Sequence, residues 1–207
     1  MEQTGGGKTI FTEPVLVVNQ KAKDIEINNE YSISTPEGTR LASVRQVGQS
    51  IFKKAFRFIS DWDSDLRHTL QILDLQGDVV LELTRPSIVV KLKSQVIVRD
   101  GAGNEIGRIV QQKAFSDGCS LESGGTPCGS VVELADGDAD YSIRDLTGTE
   151  VACVTETFDE SKLRQLAKIL FTTANSYRVE IHRPLDDPLR SLVVASALAI
   201  DLAFEQI

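Results

Sequence analysis

One short pattern recurs four times along this chain and constrains its fold more than any other feature. A run of alternating apolar and polar residues meets a turn centred on glycine, and a second alternating run follows. The copies are Tyr31–Val44, Leu70–Leu83, Val96–Ile109 and Tyr141–Val154, with turn glycines Gly38, Gly77, Gly103 and Gly148. Three of the four place an aspartate three residues before the glycine: Asp74, Asp100 and Asp145. Aspartate opens such a turn by bonding its own backbone, and glycine supplies the positive φ that closes it. Each unit therefore reads as a β-hairpin. The glycines are separated by 39, 26 and 45 residues, too irregular for a solenoid or a propeller. Further strands are predicted at Ile10–Val18, Ser87–Lys93, Val131–Leu134 and Tyr177–His182, about twelve in all. Irregularly spaced hairpins in that number suit a closed barrel or a sandwich.

Three segments break the alternation. Ser50–Ile59 places Ile51, Phe52, Ala55, Phe56 and Ile59 at helical spacing, with Lys53, Lys54 and Arg57 between them. Asp159–Phe171 opens on a capping residue and sets Leu163, Leu166, Ala167 and Leu170 on one face. At the C-terminus, Asp186 or Asp187 caps, Pro188 takes the first helical position, and Leu189–Phe204 follows. From Leu192 to Phe204 only Ser196 and Asp201 are polar. A helix apolar all round is buried in protein or in a membrane. Sixteen residues fall short of the roughly 20 that span a bilayer, and Asp201 would lie inside it. The helix, about residues 187–205, is thus expected to fill the lumen of the barrel, with a tail anchor as the other reading.

Composition narrows the function classes. The chain has 207 residues, 41% hydrophobic and 25% charged, which fits one folded domain and excludes wholesale disorder. Residues 1–9 read as a flexible tail and 10–207 as a single domain. Lysines and arginines number 22 against 30 acids, a net charge of −8, so the chain is no general binder of nucleic acid. Three cysteines, Cys119, Cys128 and Cys153, are too few and odd in number for a disulfide framework, and no CxxC pair marks a zinc site. The first eight residues lack the pattern of a signal peptide, so a reducing, cytoplasmic setting is expected.

Taken in order, these segments resemble the phospholipid scramblase family and the related LURP-one group. The resemblance is carried by the hairpin ending Leu83-Thr-Arg85-Pro86 and by the strand Asn104-Glu-Ile-Gly107-Arg-Ile-Val-Gln111. It is carried again by the terminus, from Pro184-Leu185-Asp186-Asp187 to Ile200-Asp201-Leu-Ala-Phe204-Glu205. It implies a mainly β, tubby-like fold: a twelve-stranded antiparallel barrel enclosing a hydrophobic C-terminal α-helix. Several family features are missing here. Eukaryotic scramblases carry a Pro-rich tail and acylated cysteine clusters, whereas Ser50–Arg67 and Ser87–Ser94 contain no cysteine. The resemblance also implies an acidic calcium segment before the last helix. Only Glu180, Asp186 and Asp187 are acidic there, with Arg178 and Arg183 among them. Calcium takes six to eight oxygens with several carboxylates, so these three form a degenerate site and no cofactor is expected. The chain reads as a stripped, bacterial-type member.

Other candidate chemistry is weak. Gly5-Gly6-Gly7-Lys8-Thr9 lacks the first glycine of a phosphate loop, since Glu2 holds that place, and a strand follows instead of a helix. The Asp61/Asp63/Asp65 and Asp136/Asp138/Asp140 runs begin like calcium loops. Their sixth positions are Leu66 and Tyr141, and their twelfth are Ile72 and Thr147, so they read as solvated turns. His68 and His182 have no nucleophile at a motif spacing, and no triad can be argued from the sequence. Cys119 and Cys128 flank what reads as a Gly-rich loop, Gly118 to Gly129.

One feature stands out. Thr39–Ser60 contains no acid while Arg40, Arg45, Lys53, Lys54 and Arg57 give +5 in a protein of −8. Phe52 and Phe56 are interleaved with Lys53, Lys54 and Arg57, the signature of a segment lying on an anionic membrane surface. The same phenylalanines could instead pack on the end of the barrel. The expected function is therefore membrane-associated binding of anionic phospholipid, with transbilayer scrambling implied by the resemblance, at the inner face of the cell membrane. The alternative is a non-enzymatic cytosolic binding or signalling module with a protein or small-ligand partner. No enzyme constellation is present in either reading.

Overall fold

The computed structural model describes residues 8–20, 31–47, 68–86, 95–112, 118–135, 140–156 and 176–204. They form twelve strands and one helix. The strands are β1 (Val15–Gln20), β2 (Tyr31–Ser34), β3 (Arg40–Val47), β4 (His68–Leu73), β5 (Val79–Arg85) and β6 (Gln95–Asp100). They continue with β7 (Glu105–Gln111), β8 (Gly118–Ser123), β9 (Thr126–Glu133), β10 (Tyr141–Asp145), β11 (Glu150–Glu156) and β12 (Ser176–Ile181). The helix, α1, is Leu189–Phe204. Every strand pairs antiparallel with its sequence neighbours, and β1 pairs with β12 in the register Val15↔Glu180 to Asn19↔Ser176. The sheet is thus a closed barrel, and closure leaves no unpaired edge.

All four repeat units are hairpins, and their turns share one set of bonds. In the second, the Asp74 N–H bonds the Asp78 carbonyl and the Gly77 N–H returns to the Asp74 carbonyl. The Asp74 carboxylate meanwhile accepts from the N–H groups of Gln76 and Asp78, both at 2.9 Å. Asp100 and Asp145 repeat this arrangement, and in the first hairpin the Thr35 hydroxyl takes the aspartate's place. The glycines hold φ between 81° and 92°, where a β-carbon would be strained.

Each hairpin also carries one extra residue on its second strand, two positions after the turn closes. The register steps past Leu41, Val80, Ile106 and Val151, and a fifth hairpin, β8–β9, steps past Cys128 at the same place. Such a bulge sharpens the local twist, and five of them help a wide sheet to curl shut. It also sets neighbouring residues facing inward together, as with Leu41 beside Ala42 and Val151 beside Ala152, all buried.

The β8–β9 hairpin corrects the expectation of a Gly-rich loop from Gly118 to Gly129. Gly124 and Gly125, both at positive φ, make a two-residue turn. Gly129 lies inside β9 because a β-carbon there would meet the Arg144 carbonyl at 2.7 Å and Leu189 of the helix at 3.1 Å. The predicted first strand starts late, at Val15, because Thr9 to Glu13 close a turn on the Thr9 carbonyl. The predicted Ser87–Lys93 strand lies outside the described residues. So do the predicted helices Ser50–Ile59 and Asp159–Phe171.

The helix fills the lumen as expected. Leu192 to Ile200 are 0–3% exposed, and α1 packs against β5, β6, β7 and β12. Its polar group Ser196 is satisfied by donating to the Leu192 carbonyl at 2.8 Å. A helix with side chains is about 10–12 Å across. Ala195, Ala197 and Ala199, with Gly107 and Gly129 on the wall, let wall and helix approach closely. Asp187, of the two cap candidates, does the capping: its Oδ1 accepts from the Ser191 N–H at 3.2 Å and from the Ser191 hydroxyl at 2.7 Å. Arg190 bonds Asp187 at 2.6 Å and lies over the Phe11 ring at 5.2 Å, tying the helix start to the segment before β1.

Candidate functional site

Alternating strand direction gives the barrel two unlike rims. The five tight turns lie at one rim, where β1 also begins, β12 ends and α1 enters. These turns, residues 35–39, 74–78, 100–104, 124–125 and 145–149, contain Glu37, Asp74, Asp78, Asp100 and Asp145 and no lysine or arginine. Three of these acids are held in the charged form. The Asn104 side chain and backbone keep Asp100 below its ordinary pKa, and the Thr147 hydroxyl does the same for Asp145, aided by Arg183 at 2.7 Å. Glu37 is lowered by the Thr35 hydroxyl. Two large apolar side chains, Leu75 and Leu146, stand exposed at turn tips on this acidic rim.

At the opposite rim β3 ends at Val47 and β4 begins at His68. The predicted lipid-binding residues Phe52, Lys53, Lys54, Phe56 and Arg57 fall between these two ends, outside the described residues. Arg40 and Arg45 of the same acid-free stretch lie on β3, where Arg45 donates to the Gln71 side chain at 2.9 and 3.2 Å.

Two of the three candidate calcium ligands are engaged by other partners. Glu180 on β12 pairs with Arg178 at 2.7 Å. Asp187 serves the helix cap and Arg190. Burial alone would raise its pKa, but the Ser191 and Arg190 hydrogen bonds outweigh that and hold it below the ordinary value. Asp186 is exposed, and its carbonyl accepts from the Arg190 N–H. Among the described residues no three His, Cys, Asp or Glu side chains gather as a metal-binding set.

The outer wall near the turn rim carries a polar chain that sequence spacing hides. Arg144 donates to the Ser142 hydroxyl at 3.1 Å, and Ser142 donates to Glu150 Oε2 at 2.6 Å. Glu150 Oε1 lies 3.5 Å from His182 Nδ1, and His182 Nε2 lies 3.7 Å from Cys153 Sγ. Glu150 and Cys153 are three apart in β11, which in a regular strand means opposite faces. The bulge at Val151 restores them to one face, and His182, one residue past β12, is brought alongside by its N–H bond to the Val151 carbonyl at 2.9 Å. The recurrence of the hairpin was the only sequence signal that could have pointed to this bulge.

Among the described residues no helix is long and apolar enough to cross a membrane. No curated protein sequence matches the chain. An X-ray structure of a protein from Arabidopsis thaliana superposes with a TM-score of 0.50 at 13% identity, covering 95% of this chain and 98% of that one. At that identity the likeness is one of fold. The sequence profile of the Scramblase family, which is not a known enzyme class, matches residues 8–206. Since that match takes in nearly the whole length, and the plugged twelve-stranded barrel agrees with it, the chain belongs to the scramblase family.

Proposed function

We propose that this protein binds anionic phospholipid membranes peripherally, through the rim opposite the tight turns. The observation that carries the reading is the polarity of the barrel. The turn rim presents Glu37, Asp74, Asp78, Asp100 and Asp145, which an anionic surface repels. The longest acid-free run of the chain, which takes in Thr39–Ser60, starts at the turn rim, follows β3 and continues past Val47 at the other rim. Lys53, Lys54 and Arg57 are the lipid-facing cations in this reading, each worth about 1 kcal/mol at such a surface. Phe52 and Phe56 add an apolar contribution by entering the headgroup layer. Family membership supports lipid as the partner. Transbilayer exchange of lipid is the finer function that membership points toward. With α1 enclosed by the wall, the described barrel offers headgroup binding more directly than a path across the bilayer.

Flotation of the purified protein with neutral or phosphatidylserine-containing liposomes, at low and physiological salt and with or without calcium, tests this. Binding should require the anionic lipid and weaken with salt, because the Debye length shrinks to about 8 Å at physiological ionic strength. It should not require calcium, since Glu180 and Asp187 are engaged by arginines. The triple variant Lys53→Glu, Lys54→Glu, Arg57→Glu should lose it. Protein that stays unbound under every condition would instead favour the cytosolic binding module.

A further inference from the structure

The three cysteines occupy different chemical settings. Cys119 is buried at 3% exposure, and desolvation pushes its thiol up to about 12. Cys128, half-buried at its bulge, donates to the Leu121 carbonyl at 3.4 Å. Among the described residues, Cys153 alone of the three faces a base, with His182 Nε2 at 3.7 Å. A carboxylate only accepts hydrogen bonds, so Glu150 beside Nδ1 selects the tautomer that carries its proton there. The Nε2 lone pair is thereby turned toward the thiol. Glu150 is itself held by Ser142, a buried residue, and Ser142 by Arg144. His182 and Glu150 are each 40% exposed at the side chain, so small solutes reach the pair.

We propose that Cys153 is a covalent-modification site for small soft electrophiles of the α,β-unsaturated carbonyl class, with His182 as the base and Glu150 as the residue that positions it. The thiol proton moves to Nε2 as sulfur attacks. An S–Cβ bond forms, the C=C π bond breaks, and its electron pair passes to the carbonyl as an enolate. The proton then goes from the imidazolium to the α-carbon, so the reaction is a net addition with no leaving group and no oxidant. Burial, and after it the charges of Glu180 and Glu150, raise the Cys153 pKa, which keeps the resting group a thiol and makes a base necessary at the moment of attack. Among the described residues, the charged groups around the pair are Arg144 from β10, Glu150 from β11, and Arg178 and Glu180 from β12. Cys153 sits in mid-strand with ladder partners Ser142 and Glu180, so its backbone is committed to pairing. Among the described residues that setting lacks the free N–H pair an acyl-transfer site needs for its oxyanion, which favours addition over turnover of esters or thioesters.

The test is peptide-level mass spectrometry of the full chain under limiting N-ethylmaleimide across pH 6–9, following the three cysteines in one sample. Cys153 should react at least about ten-fold faster than Cys119 or Cys128, with a rate that levels off near neutrality. His182→Gln should slow Cys153 by about a hundred-fold at neutral pH, as loss of a general base does, and turn the profile into a steady rise with hydroxide. Glu150→Gln should slow it less while shifting the profile. Continued protection of Cys119 reports that a variant barrel is intact. If a variant opens the barrel, the pH profile of the unmodified chain decides alone. Cys153 reacting no faster than Cys128, a steady rise with hydroxide in the unmodified chain, or an unchanged rate in an intact His182→Gln barrel overturns the proposal.

Discussion

At the residue scale, single polar groups hold the plug in place. Asp187 satisfies the first turn of α1 through Ser191 and neutralises Arg190. Asp187→Ala should cost about 1 kcal/mol at neutral pH, measured by denaturant unfolding. The carboxyl is lowered in the folded chain, so its contribution is complete above the ordinary aspartate value. It declines as pH falls from there through the lowered one. The gap between wild type and variant should therefore narrow below about pH 4. Leu75 and Leu146 are the counterpoint. Both are large, apolar and exposed at turn tips, and Leu75→Ser should change stability by less than about 0.5 kcal/mol.

At the element scale, the hairpin with its bulge is the building unit, and its glycines divide into two kinds. Gly38 needs its positive φ but has open space around it, so Gly38→Ala should cost about 1–2 kcal/mol. Gly107 needs the space itself. A β-carbon there would collide with the Glu122 carbonyl oxygen on β8 and sit 3.1 Å from Leu192 of α1. Backbone cannot yield as a side-chain tip can, so Gly107→Ala should cost at least about 3 kcal/mol and loosen the helix from the wall. Urea midpoints of the two variants, compared at equal slope, separate conformational strain from lost room. The helix carries the same logic from inside: Leu198 is fully buried, and Leu198→Ala should cost about 2–5 kcal/mol.

At the scale of the whole molecule, closure and charge polarity act together. Because strands alternate in direction, all five tight turns fall at one rim and bring their acids with them. Net charge of −8 would by itself argue against an anionic partner, yet it is unevenly spread. If the opposite rim meets the membrane, reversing charge on the turn rim should matter little. The pair Glu37→Lys and Asp78→Lys should float with anionic liposomes as wild type does, whereas the Lys53, Lys54 and Arg57 reversals should not. Stronger binding by the turn-rim pair than by wild type would mean that overall charge, and not a facing rim, governs the encounter.

By itself the sequence determined the hairpins and the all-apolar C-terminal helix; it left a closed barrel or a sandwich, and the resemblance to the scramblase family pointed to the barrel with the helix inside. The reason is that these rest on local rules: alternation sets a strand's inward face, Asp and Gly at fixed offsets set a turn, and an all-apolar helix must be enclosed. The same rules misread Gly118–Gly129, because local spacing cannot distinguish glycines that serve a turn from glycines that make room for Leu189. Only the tertiary structure decided which aspartate caps α1, that Glu180 and Asp187 of the calcium segment are engaged by arginines, and that each of the five tight-turn hairpins carries its bulge at one equivalent place. It alone joined Cys153, His182 and Glu150. That cluster depends on a one-residue change of strand register and on how β11 and β12 align across a connection that brings residues 29 apart together, and neither leaves a mark on residue spacing.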